Sequence, residues 1–136
     1  MTCKLFGRVI SGKGEGKYYM SLKPYKETFK NILGYYPYEG TLNIKKLNDN
    51  FQLNKFKWLE IDDFEYNDKV YYGVKILPVR IYGKIGYWVN GAIIRPKRST
   101  HNENTIELIS KVNLRKYLFL KNNDIIIANI KSTYHL

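Results

Sequence analysis

Gly73-Val74-Lys75-Ile76-Leu77-Pro78-Val79-Arg80-Ile81-Tyr82 runs into Gly83-Lys84-Ile85-Gly86 and returns as Tyr87-Trp88-Val89-Asn90-Gly91-Ala92-Ile93-Ile94-Arg95. Two long runs of strand-forming residues around a glycine-bounded turn predict one extended antiparallel hairpin. Pro78 has no amide proton to donate, so it predicts a bulge or a sheet edge within the first run. The segments that follow continue in the same manner. Residues 96–104 are polar and predict a loop, and Thr105–Ser110 predicts a strand. Asn113 can cap a short helix over residues 114–119. A turn at 121–124 then leads into a last strand, Ile125–Ile130.

Toward the N-terminus, Phe64-Glu65-Tyr66 and Val70-Tyr71-Tyr72 flank Asn67-Asp68, whose residue types suit the positive φ of a tight hairpin turn. Residues 40–45 predict another strand. Pro24 opens a helix in which Tyr25, Phe29, Ile32 and Leu33 fall at helical spacing, and Gly34 supplies its left-handed stop. Lys4–Ile10 predicts the first strand, ending in the glycine-broken stretch Ser11-Gly12-Lys13-Gly14-Glu15-Gly16-Lys17, after which residues 18–22 predict a return to strand. Many short strands, two short helices and few long connections predict a mainly β, closed barrel in a single domain over residues 1–136. The helices are too few to serve as crossovers of a parallel doubly wound sheet.

A chain of 136 residues can bury a true core, and 44% hydrophobic residues argue against disorder. The apolar runs are far too short to span a bilayer, and Lys4 and Arg8 interrupt any signal-like segment at the N-terminus. A single cysteine, Cys3, allows neither an intrachain disulfide nor a cysteine metal cage. A cytoplasmic protein is expected. Lys and Arg total 23 against 12 Asp and Glu, and the net +11 attracts polyanions: nucleic acid, an acidic membrane surface or a phosphorylated small molecule. The lysines are dispersed rather than blocked into a tail, which fits a solvated surface as readily as a binding face.

Three constellations can carry chemistry. In Gly12-Lys13-Gly14-Glu15-Gly16-Lys17, alternate glycines free the backbone to turn N–H groups onto an anion, and Lys13 and Lys17 add charge. The spacing is not that of the Walker loop, and with strand expected next no helix dipole assists. An ordinary glycine-rich hairpin loop is the alternative. In Tyr38-Glu39-Gly40-Thr41-Leu42-Asn43, a strand points Thr41 and Asn43 to one face and Leu42 to the other. Two neutral oxygens can help hold a hard cation such as Mg²⁺ when phosphate oxygens and waters complete its shell; a solvent-facing polar stripe is the alternative.

The third constellation is Ser99, Glu107 and Val112-Asn113-Leu114-Arg115. A helix starting near Asn113 offers N–H groups, and Arg115 offers a fork for phosphate or a base carbonyl. Glu107 falls on the strand face away from Ile106 and Leu108, where an exposed glutamate is the alternative reading. His101 and His135 show no nucleophile–base pairing, and Asp62 and Asp63, read as adjacent strand residues, face opposite ways. Tyr35-Tyr36 and Tyr71-Tyr72 suit stacking on a base or flavin, or a division between core and surface.

Taken in order, five stretches resemble the archaeal CTP-dependent riboflavin kinases. They are Ser11-Gly12-Lys13-Gly14-Glu15-Gly16-Lys17-Tyr18, Pro24-Tyr25-Lys26-Glu27, Pro37-Tyr38-Glu39-Gly40-Thr41-Leu42-Asn43, Gly91-Ala92-Ile93-Ile94-Arg95-Pro96-Lys97 and Asn113-Leu114-Arg115, and with their spacing they cover about residues 5–130. The resemblance implies a cradle-loop (RIFT-type) barrel that moves the γ-phosphoryl group of CTP to the riboflavin 5′-hydroxyl, giving FMN and CDP. It implies that Gly12, Lys13, Gly14, Glu15, Gly16 and Lys17 hold the nucleotide together with Val112, Asn113, Leu114 and Arg115. Thr41 and Asn43 would carry Mg²⁺, and Ser99 and Glu107 would contact the flavin.

Two departures stand out. Ser99 sits where the family leads one to expect threonine, and Lys121-Asn122-Asn123-Asp124 replaces the usual Asp-Gly-Asp turn, with an expected effect on folding more than on chemistry. No general base is assigned; Glu107 is a candidate by its chemistry alone. The resemblance leads to a monomer with no nucleic-acid or membrane partner. A basic barrel that binds nucleic acid, and a flavin-binding barrel without turnover, are the competing readings.

Overall fold

Alternation along each long strand turns one set of side chains inward and the other outward, and this protein buries both sets. The computed structural model describes residues 3–12, 16–98, 104–134 and 136. The elements are β1 (Lys4–Ile10), α1 (Gly16–Ser21), α2 (Lys23–Leu33), β2 (Leu42–Lys46), β3 (Leu59–Ile61), β4 (Phe64–Tyr66), β5 (Lys69–Tyr71), β6 (Val74–Tyr82), β7 (Trp88–Pro96), β8 (Thr105–Ser110), α3 (Leu114–Tyr117) and β9 (Ile125–Ile130). Single 3₁₀ turns lie at Leu53–Lys55 and Ser132–Tyr134.

Six strands close into an antiparallel barrel in the order β6-β7-β8-β2-β1-β9, with β9 returning to β6. Leu5, Val9, Leu42, Ile44, Leu77, Val79, Ile81, Ile93, Ile106, Leu108, Ile126 and Ala128 fill its interior, joined by Leu114, Leu118 and Leu120 from the α3 region. Each such side chain contributes on the order of 1.5–3 kcal/mol by leaving water. The outward residues Val74, Ile76, Ala92, Ile94 and Ile109 form a second core with Met20, Tyr25 and Phe29 of α1 and α2. Helix α2 ends as its sequence predicts, with Gly34 at φ 86° and its N–H bonded to Lys30 O at 2.8 Å. The β4–β5 turn likewise carries Asn67 and Asp68 at φ 50° and 62°. That hairpin lays Phe64 and Tyr71 edge-on against Tyr25, whose hydroxyl donates to Tyr72 O at 2.6 Å.

Pro78 resolves one of the two sequence expectations made for it. The β6–β7 ladder runs from Val74↔Pro96 to Tyr82↔Trp88 without a bulge. It is bracketed by Gly83 N–H to Tyr87 O and Lys97 N–H to Gly73 O, so odd-numbered residues turn their backbone groups toward β7. Pro78 therefore faces the other edge. There β3 pairs with Val74–Ile76 and β9 with Val79–Tyr82, and the residue without an amide proton stands where one partner hands over to the next.

One element is corrected. Residues 18–22, expected as strand, lie in and just after α1, so the glycine stretch does lead into a helix. Tyrosines favour sheets, but here Met20 is fully buried and Tyr19 packs edge-on against Tyr25 at 4.8 Å, an anchorage that outweighs propensity. Pro24, within the first turn of α2, then restarts the chain as a second helix. Strand β3 was not foreseen. Asp62 and Asp63 fall between β3 and β4 and take separate partners: Lys97 Nζ at 3.2 Å and the Gly73 N–H at 2.6 Å.

Candidate functional site

The glycine stretch follows β1, Asn43 lies on β2 beside it, Glu107 lies on β8 next to β2, and residues 112–115 lead into α3. Alternation places Leu42 and Ile44 in the barrel and Asn43 on its outer face, where it is 7% exposed. The Asn43 Nδ2 donates to Gly12 O at 3.1 Å, tying β2 to the start of the glycine stretch. In register, Asn43 stands opposite Glu107 of β8, and Glu107 stands opposite Ile94 of β7. Glu107 does lie on the face away from Ile106 and Leu108, but at 3% exposure it is not the solvent-facing glutamate of the alternative reading. Nor is Asn43 part of a solvated stripe. Lys13, Gly14, Glu15 and Ser99 lie outside the described residues, as do His101 and His135.

Thr41 connects two cavities. One, of about 740 Å³, is lined by Gly12, Lys17, Tyr18, Ser21 and the wall Tyr38-Glu39-Gly40-Thr41. The other, of about 160 Å³, is lined by Tyr38, Gly40, Thr41 and Leu42 on one side and Asn113, Leu114 and Arg115 on the other. The shared wall is firmly held. Tyr38 donates its N–H to Ser110 O at 2.8 Å, and Glu39 pairs with Lys26 of α2. Gly12 and Lys17 of the first constellation and Asn113, Leu114 and Arg115 of the third therefore flank one wall, formed by Tyr38, Gly40 and Thr41 of the second.

Helix α3 is a single turn. Asn113 caps it by accepting from Lys116 N–H at 3.3 Å, and its Nδ2 donates to the Tyr38 hydroxyl at 3.2 Å. Arg115 is aimed by two acceptors for its Nη2, Ile10 O at 3.2 Å and Asn122 Oδ1 at 2.8 Å. The remaining guanidinium donors can meet an anion. Asn122 belongs to the turn whose departure was expected to bear on folding more than on chemistry; its side chain bears on Arg115 as well. Tyr38 was quoted within its motif but given no role. Its place before Glu39-Gly40-Thr41 was the available signal.

As a metal site, Thr41 and Asn43 offer neutral, hard oxygens. The Asn43 amide nitrogen is committed to Gly12, so its oxygen is the end left to coordinate. Among the described residues no group of three or more His, Cys, Asp or Glu side chains could hold a metal ion. The pair fits Mg²⁺ only alongside phosphate oxygens. Among the described residues no helix is long and apolar enough to cross a membrane.

A family model for CTP-dependent riboflavin kinases, described as "Domain of unknown function DUF120", matches residues 9–130. The chain is 63% identical over 123 residues to a riboflavin kinase of Methanococcus aeolicus, covering 90% of this chain and 94% of that protein. It is 52% identical to a riboflavin kinase of Methanococcus vannielii, again over 90% of this chain and 94% of the other. A riboflavin kinase of Methanoculleus marisnigri is 40% identical over 93% of this chain, which corresponds to 56% of that longer protein.

Proposed function

The chain belongs to the CTP-dependent riboflavin kinase family, and on that membership we propose that it transfers the γ-phosphoryl group of CTP to the 5′-hydroxyl of riboflavin, releasing FMN and CDP. One observation carries the reading: Tyr38, Gly40 and Thr41 are common to the cavity with Gly12 and Lys17 and to the cavity with Asn113 and Arg115. A nucleoside triphosphate needs such an elongated, cationic seat. Phosphoryl transfer asks for alignment and charge neutralisation more than for a protein nucleophile. Lys17 supplies charge in the larger cavity and Arg115 in the smaller, while the alternate glycines of the sequence 12–17 would let the chain turn N–H groups to phosphate oxygens.

Thr41 and Asn43 would hold Mg²⁺, which when bound neutralises charge on the transferring phosphate. Val112 to Arg115 would seat the remainder of the nucleotide. Ser99 and Glu107 would face the flavin. Asn43 then stands between the two substrates, bonded to Gly12 on one side and opposite Glu107 on the other. Glu107 is the candidate to orient the 5′-hydroxyl and take its proton, and a loose transition state asks little of that base.

The test is to incubate the protein with riboflavin, Mg²⁺ and either CTP or ATP and to measure FMN. FMN with CTP and little with ATP is expected. Flavin binding with no turnover on either nucleotide would replace the kinase by a flavin carrier. Steeply salt-dependent binding to DNA or RNA, with no response to riboflavin, would replace it by a nucleic-acid binder.

A further inference from the structure

Another cavity, of about 370 Å³, lies between the end of α2, the strands β6 and β7, and the segments that follow β8 and β9. Its volume falls in the range of small-molecule sites. Ile32, Leu33 and Pro78 give it an apolar wall, and Lys111 and Lys131 give it charge, with no acidic residue in the lining. Among the described residues neither lysine makes an ion pair. The hydroxyl of Tyr35, also in the lining, is buried and has no hydrogen-bond partner in the protein. Burying a hydroxyl unpaired is costly, so this donor is a feature in need of an acceptor.

We propose that this cavity binds a small organic anion, a phosphate ester or carboxylate on an apolar body, with Lys111 and Lys131 balancing its charge and Tyr35 donating a hydrogen bond. Burial pushes the Tyr35 phenol up to about 12, so it stays protonated and remains a donor throughout the physiological range. None of the residues that line the cavity is a proposed nucleotide, metal or flavin contact, so the inference does not rest on the kinase reading.

The test is calorimetric titration with phenyl phosphate, benzoate and benzylamine, the last presenting a similar body with the opposite charge. Amide NMR shifts on the ¹⁵N-labelled protein locate the site. Binding of either anion but not of benzylamine is expected, with the largest shifts at residues 34–35, 90–91, 111 and 131. Lys111→Gln and Lys131→Gln should each weaken the bound anion about tenfold. Tyr35→Phe should weaken it about threefold without lowering the melting temperature. Preference for phenyl phosphate would assign a phosphate ester, and preference for benzoate a carboxylate. The proposal is overturned if the wild type binds neither anion. It is also overturned if the double lysine variant binds as well as the wild type, or if Arg115→Gln abolishes binding that the double variant keeps.

Discussion

Asn43 uses both ends of one amide: the nitrogen holds Gly12 O, and the oxygen remains for a ligand. Replacing it by alanine removes both. Thr41→Ala removes the hydroxyl of a residue that lines both cavities proposed to hold the nucleotide. Each variant is expected to lower kcat on the order of 10²-fold, the usual scale for losing one preorganised electrostatic contact. Both should stay folded, with Asn43→Ala losing about 1 kcal/mol for its buried hydrogen bond. Steady-state kinetics with circular dichroism checks this, and wild-type rates in both variants would remove the metal site. The sidedness of Leu42 and Asn43 was legible in sequence because strand alternation is strict, although β2 begins at Leu42 and leaves Thr41 just before it. The burial of Glu107 was not. It depends on what covers the outer face of β8, and no local pattern around Thr105–Ser110 records that.

The turn before β9 fastens the tip of the β6–β7 hairpin. Asp124 Oδ2 accepts from Lys84 Nζ at 2.8 Å and from Lys121 N–H at 2.7 Å, and these bonds, the lysine first, hold its carboxyl below the usual range. A depressed folded value means stability that is present above the ordinary carboxylate pKa and lost as pH falls through the folded one. Urea midpoints should therefore favour the wild type over Asp124→Asn at pH 7, and the difference should shrink as pH falls below the ordinary carboxylate range. At the centre of β6, Pro78→Ala should cost about 0.5–1 kcal/mol by loosening the unfolded chain, and it should leave the barrel closed because no ladder bond is at stake. The long hairpin and β9 were readable from composition and turn residues. Helix α1 was not, since Tyr18 and Tyr19 read as strand until Met20 is seen seated against α2 and the sheet.

The molecule carries a net +11. Its field should speed the capture of a polyanionic nucleotide. Stopped-flow association of CDP is expected to slow several-fold between about 0.05 and 0.5 M salt as screening shortens the reach of that field. Dissociation should change less. The chemistry and the charge were visible in sequence as scattered motifs, but their convergence was not, because it needs strand pairings between distant segments. The bond from Arg115 to Ile10 O spans 105 residues of chain, and β1 finds one of its two neighbours only in β9. Such non-local closure makes for slow assembly. A nascent chain whose β9 is still inside the ribosome thus already holds every proposed ligand-contacting residue and lacks the barrel on which to array them. Competence should arrive in one step once β9 has emerged.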